Sequence, residues 1–313
     1  MEPLKLPSPP AATPVALAQP PPAAADLGIQ LRRLAILSAV LILTFAKPLL
    51  ALVRFSLHSE LYSHLLLIPF VSVYLAWLKK QELQPCPEPE CKLALLPFGA
   101  GLLLLIGYLS APRFGLSLAP ADSLAWITVS FVVFFIAAAV FSLGRRNVQA
   151  LAFPLAFLLL FVPFPVGVEK AIEFFLQHRS ADAAELFFSV VGTPLHRQGV
   201  LFQLPGFSLQ VAPECSGIRS TLVLFIASLV AGQLFLRSNW KRALFALVVI
   251  PLGIFRNAFR IVVLGELCVH VNPAFIDSPI HHRGGPIFFL LSMVPFLLLL
   301  YYLRKTDGPK QKG

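Results

Sequence analysis

Charged residues are scarce in this sequence. Lys, Arg, Asp and Glu make up 13% of its 313 residues, whereas a typical soluble domain contains about 25%. Hydrophobic residues reach 57%, and the mean hydropathy is +0.80. This balance excludes an ordinary soluble domain and predicts an all-α polytopic membrane protein.

Cysteine is also rare, and the N-terminal region has no long apolar run. Four cysteines are too few for a disulfide scaffold. Residues 1–33 are rich in Pro and Ala and lack the apolar core of a cleavable signal peptide. We therefore expect a disordered cytoplasmic tail over 1–33. No internal repeat and no separate soluble domain is visible, so one transmembrane domain is expected over 34–303, with a basic cytoplasmic tail over 304–313.

Eight apolar runs predict about eight transmembrane helices, because a span needs about 20 apolar residues. They are Leu34–Val53, Leu61–Leu78, Leu93–Leu109, Leu124–Leu143, Val148–Val168, Gly217–Leu236, Ala243–Leu267 and Pro286–Leu303. Basic pairs such as Lys79-Lys80 and Arg145-Arg146 follow the even-numbered runs. The positive-inside rule then places both termini in the cytoplasm. The net charge of +10 is thereby interpreted as topology, and no nucleic-acid partner is expected.

The longest predicted outer segment, residues 169–214, precedes the sixth span. Apolar residues at helical intervals from Ile172 to Val190 predict a short amphipathic helix at the outer membrane face. Two runs around Pro205-Gly206, "RQGVLFQL" and "FSLQV", predict a β-hairpin. The hairpin leads into "VAPECSGIRS", which places Cys215 at the outer end of the sixth span.

Residues whose side chains could take part in catalysis are expected at the same outer face, near the ends of three successive spans. They are Cys215, Arg260 and the pair His281-His282. A thiol attacks as the thiolate, which a nearby imidazole or cation favours, and an activated Cys can form an acyl intermediate. An arginine can stabilise the oxyanion of such a reaction. The pattern therefore favours acyl transfer.

Other interpretations of these residues stay open at this point. Cys215 could be a small buried residue or a disulfide partner of Cys268, and the histidines could be solvated loop residues or adventitious metal ligands. The costly arginines of the seventh span could serve structural pairing; they and their possible acidic partners are Arg256, Arg260, Glu214 and Glu266. "CPEPEC" is a weak metal or redox signal, because Cys86 and Cys91 have no nearby His. We expect no metal and no cofactor.

The order of the motifs resembles the exosortase/archaeosortase family of integral-membrane cysteine transpeptidases. The similar segments include the Pro-bracketed fifth span "FPLAFLLLFVPFP", the cysteine motif "ECSGIRS", "RNAFRIVVLG" and "HHRGGPIFF". An early Ser-His segment, "LYSHLLLIPFVSVYL", contains Ser63 and His64. Together these motifs cover about Leu61 to Phe289.

The resemblance implies residue roles. Cys215 would be the nucleophile, Arg260 the oxyanion stabiliser and His281 the acid and base, with His282 as the alternative. The supporting residues would be Asn257, Ser216, Gly217 and Arg219. The roles of His64 and Arg256 stay open.

The resemblance also implies a substrate and a location. Family substrates are exported proteins with a C-terminal, PEP-CTERM-like sorting tail, which consists of a short motif, a hydrophobic helix and a basic cluster. Cleavage would occur at the outer, periplasmic face of the cytoplasmic (inner) membrane, and the lipid bilayer is an expected partner. The acyl-enzyme would pass to an unknown acceptor nucleophile or to water. The alternative function is a membrane scaffold or transporter for exopolysaccharide or protein export.

Overall fold

The computed structural model describes residues 22–85, 89–115, 117–277 and 285–308. Its helices are α1 Pro22–Thr44, α2 Ala46–His58, α3 Ile68–Leu78, α4 Cys91–Ser110, α5 Pro120–Ala150, α6 Ala152–Phe157, α7 Val166–Val191, α8 Ile218–Phe235, α9 Asn239–His270 and α10 Gly285–Lys305. Three short strands lie between α7 and α8 in the chain: β1 His196–Gln198, β2 Leu201–Leu204 and β3 Phe207–Gln210. The predicted fold class, an all-α polytopic membrane protein with a hairpin before the sixth span, is confirmed.

Six helical segments of the described chain are long and apolar enough to cross a bilayer. They are Leu27–Thr44, Cys91–Phe114, Pro120–Ala150, Ile218–Phe235, Asn239–His270 and Gly285–Lys305. A bent pair, Ala152–Phe161 with Val166–Val191, is a seventh if its two helices together form one span. The predicted eight are reached only with the shorter Ser63–Leu78. That segment covers roughly 24 Å at 1.5 Å per residue, less than the ~30 Å hydrocarbon core.

The predicted fifth span is the bent pair. Its first half ends in a short 3-10 turn, Leu158–Phe161, and α7 begins after Pro165. Proline lacks a backbone N–H, and its ring clashes with the preceding helical turn. Pro163 and Pro165 therefore interrupt the helix, although the apolar composition continues across them.

The N-terminal tail differs from its prediction. Helix α1 begins at Pro22, so residues 22–33 are helical and not disordered. Residues 1–21 lie outside the described residues. The Pro/Ala composition that suggested disorder extends into the first turn of α1, where Ala is the strongest helix former.

The first of two compact units comprises residues 1–50, 68–115 and 126–161. Its core includes Ala139, Leu143, Leu151 and Leu155. Large apolar side chains remain uncovered on α4, where Leu96 is 79% exposed and Leu103 is 73% exposed. Soluble monomers rarely expose contiguous apolar surface of this kind, so these side chains are suited to lipid.

The second unit comprises residues 51–67, 116–125 and 162–313, and α9 is its central helix. Two glycines of α9 allow close packing. A Cβ at Gly253 would lie 2.4 Å from Oγ1 of Thr221 on α8, and a Cβ at Gly265 would lie 2.6 Å from Cζ of Phe188 on α7. Both distances are far below van der Waals contact, so α9 can approach α7 and α8 only because these side chains are missing.

The three strands form an antiparallel sheet in the order β1-β2-β3. Strands β2 and β3 pair through the predicted turn, where Gly206 has a φ of +73°. Such a φ at the second central residue after proline is typical of a type II turn. The inner face of the sheet packs on α7 and α9 in one apolar cluster, which includes Phe188, Phe202, Leu204, Leu209, Val211, Ala258, Ile261 and Val262.

Helix α7 occupies the position of the predicted amphipathic helix, but it is 26 residues long. Its buried residues are mostly small or polar: Leu176, Gln177, Ser180, Ala181, Ala184 and Phe188. Val190, which the apolar periodicity placed on the hydrophobic side, is 78% exposed. Small residues face the protein because they allow close helix approach, as in membrane helix packing generally.

Candidate active site

Cys215 lies in the short connection between the sheet and α8. Strand β3 ends at Gln210, a 3-10 turn covers Pro213–Cys215, and α8 begins at Ile218. Gly217 precedes α8 with a φ of +80°, a conformation that favours glycine. The half-buried Cys215 is therefore held at the N-terminal end of a spanning helix.

A small pocket brings Cys215 together with two polar residues of α9. Its lining residues are Leu209, Gln210, Val211, Cys215, Asn257, Arg260, Ile261 and Leu264. Its volume is about 20 Å³, which is room for about one water molecule. The structure thus places Cys215 and Arg260, predicted as nucleophile and oxyanion stabiliser, at one pocket with apolar walls.

Asn257 binds the backbone at the cysteine. Its Nδ2 donates a hydrogen bond to the Cys215 carbonyl oxygen over 2.8 Å, and its side chain is 2% exposed. A Cβ at Gly217 would lie 3.1 Å from Cγ of Asn257. The φ of residue 217 therefore favours glycine, and a Cβ there would also force Asn257 to shift by a few tenths of an ångström.

Arg256 contacts the residues that follow Cys215, at the start of α8. Its Nη2 donates to the Gly217 carbonyl oxygen at 3.3 Å and to Oγ1 of Thr221 at 3.4 Å. Its side chain is buried, and it does not line the Cys215 pocket. Within the described residues its Nη1 has no hydrogen-bond partner. Two consecutive α9 residues, Arg256 and Asn257, thus donate hydrogen bonds to the segment between the sheet and α8 that contains Cys215. Arg260, one turn further along α9, lines the pocket.

The remaining supporting residues occupy different surroundings. Ser216 is buried, and its Oγ accepts a hydrogen bond from the Ile218 backbone N–H at 3.4 Å, at the start of α8. Arg219 forms an ion pair with Glu60, and both side chains are exposed. Arg219 is not among the residues that line the Cys215 pocket.

His64 belongs to a short 3-10 turn, Ser63–Leu67. Its Nδ1 lies 2.8 Å from the Leu61 carbonyl oxygen, and the ring does not line the Cys215 pocket. Beside it, the Tyr62 hydroxyl donates to Oε2 of Glu169 at 2.6 Å and lies 3.3 Å from the Phe164 carbonyl oxygen. The early Ser-His segment thus contains a polar contact to the start of α7, through Tyr62 and not through His64.

One residue near the site went unnoticed in the sequence. Gln177 of α7 is buried, and its Nε2 donates to the Val211 carbonyl oxygen at 2.5 Å. This bond fixes the chain four residues before Cys215. The signal in the sequence is faint: one amide side chain in "EFFLQHRS", whose orientation cannot be deduced without knowing where α9 packs.

His281 and His282 fall within 278–284, which lies outside the described residues. Among the residues that are described, no group of three His, Cys, Asp or Glu side chains could hold a metal ion. Cys215 and Cys268 carry reduced thiols, so the structure does not contain the disulfide considered between them. Cys91 is an exposed thiol at the start of α4.

An ion-pair cluster joins β1 to α7. Nη2 of Arg197 lies 2.8 Å from Oδ1 of Asp182, and its Nη1 lies 2.7 Å from Oε2 of Glu185. The two carboxylates are exposed and Arg197 is half-buried, so the cluster contributes modestly to stability while it links β1 to α7.

Comparison with known protein families places this arrangement in context. The family model described as transmembrane exosortase (Exosortase_EpsH) matches residues 53–298. That range includes the sheet, the Cys215 connection, α8, α9 and most of α10. Neither the search of curated proteins nor the search of solved structures gives a match. The match covers more than three quarters of the sequence, and the chain belongs to the transmembrane exosortase family.

Proposed function

We propose that this exosortase is a membrane-embedded cysteine protease or transpeptidase that cleaves the C-terminal sorting tails of exported proteins. The observation that carries the proposal is the shared pocket of Cys215, Asn257 and Arg260 at the N-terminal end of a spanning helix. A nucleophile and a guanidinium that can stabilise an oxyanion are two of the groups that acyl transfer can use, and they lie at one apolar pocket. The family match supports the same chemistry at a coarser level.

In the proposed reaction the base is a histidine that the family resemblance assigns. The Cys215 thiol loses its proton to His281, or to His282, and the sulfur attacks the carbonyl carbon of the scissile peptide. The negative charge that develops on the carbonyl oxygen lies against the Arg260 guanidinium. The C–N bond then breaks, the amine of the tail takes the proton from the imidazolium, and a thioester remains on Cys215. An acceptor nucleophile or water attacks the thioester and restores the thiol.

The depth of Cys215 suits the substrate. Cys215 precedes α8 by only three residues, so the thiol is positioned at one end of a spanning helix. A sorting tail whose hydrophobic helix crosses the same bilayer would present the residues before that helix at a similar depth. The proposed partners are therefore such exported proteins, the lipid bilayer and an acceptor nucleophile.

The geometry of the site gives little support to the alternative that the protein is a transporter. It needs the two α9 arginines to line a path for ions or polymers. Arg256 instead contacts the backbone and Thr221 of α8, and the pocket at Arg260 holds about one water molecule. The scaffold alternative needs no nucleophile and makes a different prediction for the thiol.

The test is capture of the acyl-enzyme. The purified full-length protein, reconstituted in bilayer discs, is mixed with a tailed exported protein from the same genome. We expect a thioester on the peptide that contains Cys215, seen by mass spectrometry and released by hydroxylamine. A sample pre-treated with iodoacetamide is the control. Cleavage that proceeds normally after complete alkylation of Cys215 would exclude the covalent mechanism.

The proposed orientation has its own test. We propose that both termini face the cytoplasm and that Cys215 faces the outer side of the inner membrane, because the basic pairs alternate between loops. Alkaline phosphatase fused after Lys310 should be inactive, and a fluorescent protein fused there should fluoresce. In a variant that keeps only Cys91, an impermeant maleimide should label cells only after permeabilisation. An active phosphatase at Lys310 would reverse the orientation.

A further inference from the structure

Strand β3 is an edge of the sheet. The strand order is β1-β2-β3, so β2 covers one side of β3 and no strand of the described chain covers the other. An edge strand presents unpaired backbone groups that can template another extended chain. The question is which groups β3 offers and what lies next to them.

The register identifies the free groups. The Val211 N–H donates to the Val200 carbonyl oxygen at 3.0 Å, so Val211 is directed at β2. In an antiparallel pair, bonded and non-bonded residues alternate. Leu209 and Phe207 therefore also face β2, and the N–H and C=O groups of Ser208 and Gln210 face the open edge. In the described part of the chain, no hydrogen bond uses these four backbone groups of Ser208 and Gln210.

The open edge belongs to residues with exposed side chains, and one of them lines the same pocket as Cys215. The side chains of Ser208 and Gln210 are exposed. Gln210 and Leu209 also line the pocket that contains Cys215 and Arg260. The chain passes from Gln210 to Cys215 without another element except the 3-10 turn, and Gln177 and Asn257 fix it at Val211 and Cys215.

We infer that the open edge of β3 binds the substrate as an added strand: the extended peptide segment before the scissile bond pairs with Ser208 and Gln210. This inference rests on the proposed peptidase function and names how that site holds its substrate. An extended segment exposes its carbonyl groups for attack, and backbone pairing is largely independent of side-chain identity. The edge supplies affinity, and the small apolar pocket restricts the side chain next to the cut.

The pairing predicts a period of two along the substrate. Alternate residues of a strand direct their N–H groups to the same neighbour. A tail peptide is therefore synthesised with one N-methylated amide at a time over the four residues before the cut. We expect kcat/KM to fall by about 10-fold, mostly through KM, at alternate positions. The intervening positions should change by about 2-fold or less.

Enzyme variants test the same contact from the other side. Ser208→Pro removes an N–H that faces the open edge, where proline is tolerated in a strand. It should lower kcat/KM by about 2- to 10-fold, and Ser208→Ala, which keeps the N–H, should lower it less. The rate at which iodoacetamide alkylates Cys215 reports whether the site is intact in both variants.

The outcomes separate the inference from the function on which it rests. If the unmodified peptide is cleaved but N-methylation has no alternating effect, the strand-addition inference is wrong and the peptidase stands. Equal losses in Ser208→Pro and Ser208→Ala, with unchanged alkylation, would also overturn it. If the wild-type protein leaves the unmodified peptide uncut while other tailed proteins remain uncut too, the proposed function fails, and the inference fails with it.

Discussion

Replacement of Cys215 by serine is expected to abolish the proposed cleavage of a sorting tail while the protein remains folded in the membrane. A serine hydroxyl ionises far less readily than a thiol beside a histidine at neutral pH. Loss of a nucleophile typically lowers kcat by about 10⁴-fold or more. The two side chains are similar in size, and Cys215 is only half-buried, so little packing is lost. The measurement is accumulation of uncut, helix-tailed substrate in membranes.

The other cysteines supply matched controls for this experiment. Cys91→Ser changes an exposed thiol and should leave cleavage unchanged, as should the double replacement of Cys86 and Cys91. Cys268 is buried on α9 and has no assigned chemistry, so Cys268→Ser should retain cleavage with some loss of stability. Processing at the wild-type rate in Cys215→Ser cells would replace the peptidase proposal with the scaffold alternative.

Arg260→Lys is expected to lower kcat by about 100- to 1000-fold, the usual cost of removing one oxyanion donor. Lysine keeps the positive charge, but it cannot reproduce the planar fork of donors in a guanidinium. The residue lines the Cys215 pocket, so the loss should appear in kcat with a smaller change in KM. Single-turnover cleavage of a tail peptide by the reconstituted protein measures it.

Arg256→Lys is the matched comparison for Arg260→Lys. Arg256 lies one turn earlier on α9 and contacts Gly217 and Thr221, not the pocket. Its replacement should mainly reduce protein yield and thermal stability, because the grip on the cysteine connection weakens. Among molecules that do fold, kcat should remain within about 10-fold of wild type. Equal and complete loss of activity in both variants, at normal protein levels, would remove the distinction between the two arginines.

Much of the architecture follows from the sequence alone, because the bilayer imposes its own rules. A spanning helix must be long and apolar, and these properties can be read from composition in a short window. The same is true of the hairpin, since Pro205-Gly206 between two apolar runs specifies a turn. The motifs around Cys215 and Arg260 were sufficient for the family, which the family match confirms.

Composition and hydropathy predicted the helix boundaries less well in the N-terminal tail and in two of the predicted spans. The disordered tail was predicted through residue 33, yet α1 begins at Pro22. The predicted fifth span, Val148–Val168, is interrupted by a bend in the structure, and the predicted second span, Leu61–Leu78, is shorter than a full span. Proline effects and helix starts depend on which backbone groups find partners, and composition does not record those partners.

The sequence by itself determined the membrane class, the hairpin and the residue types available for chemistry. Only the tertiary structure decided which of them meet. Asn257 reaches the Cys215 carbonyl across 42 positions of the chain. Arg256 contacts Gly217 and Thr221 while Arg260 lines the pocket, and Gln210 at the open edge of β3 lines the same pocket as Cys215. These relations depend on how closely α9 approaches α7 and α8, which Gly253 and Gly265 permit. Periodicity reports which face of a helix is apolar, but contact between distant segments is set by packing in three dimensions.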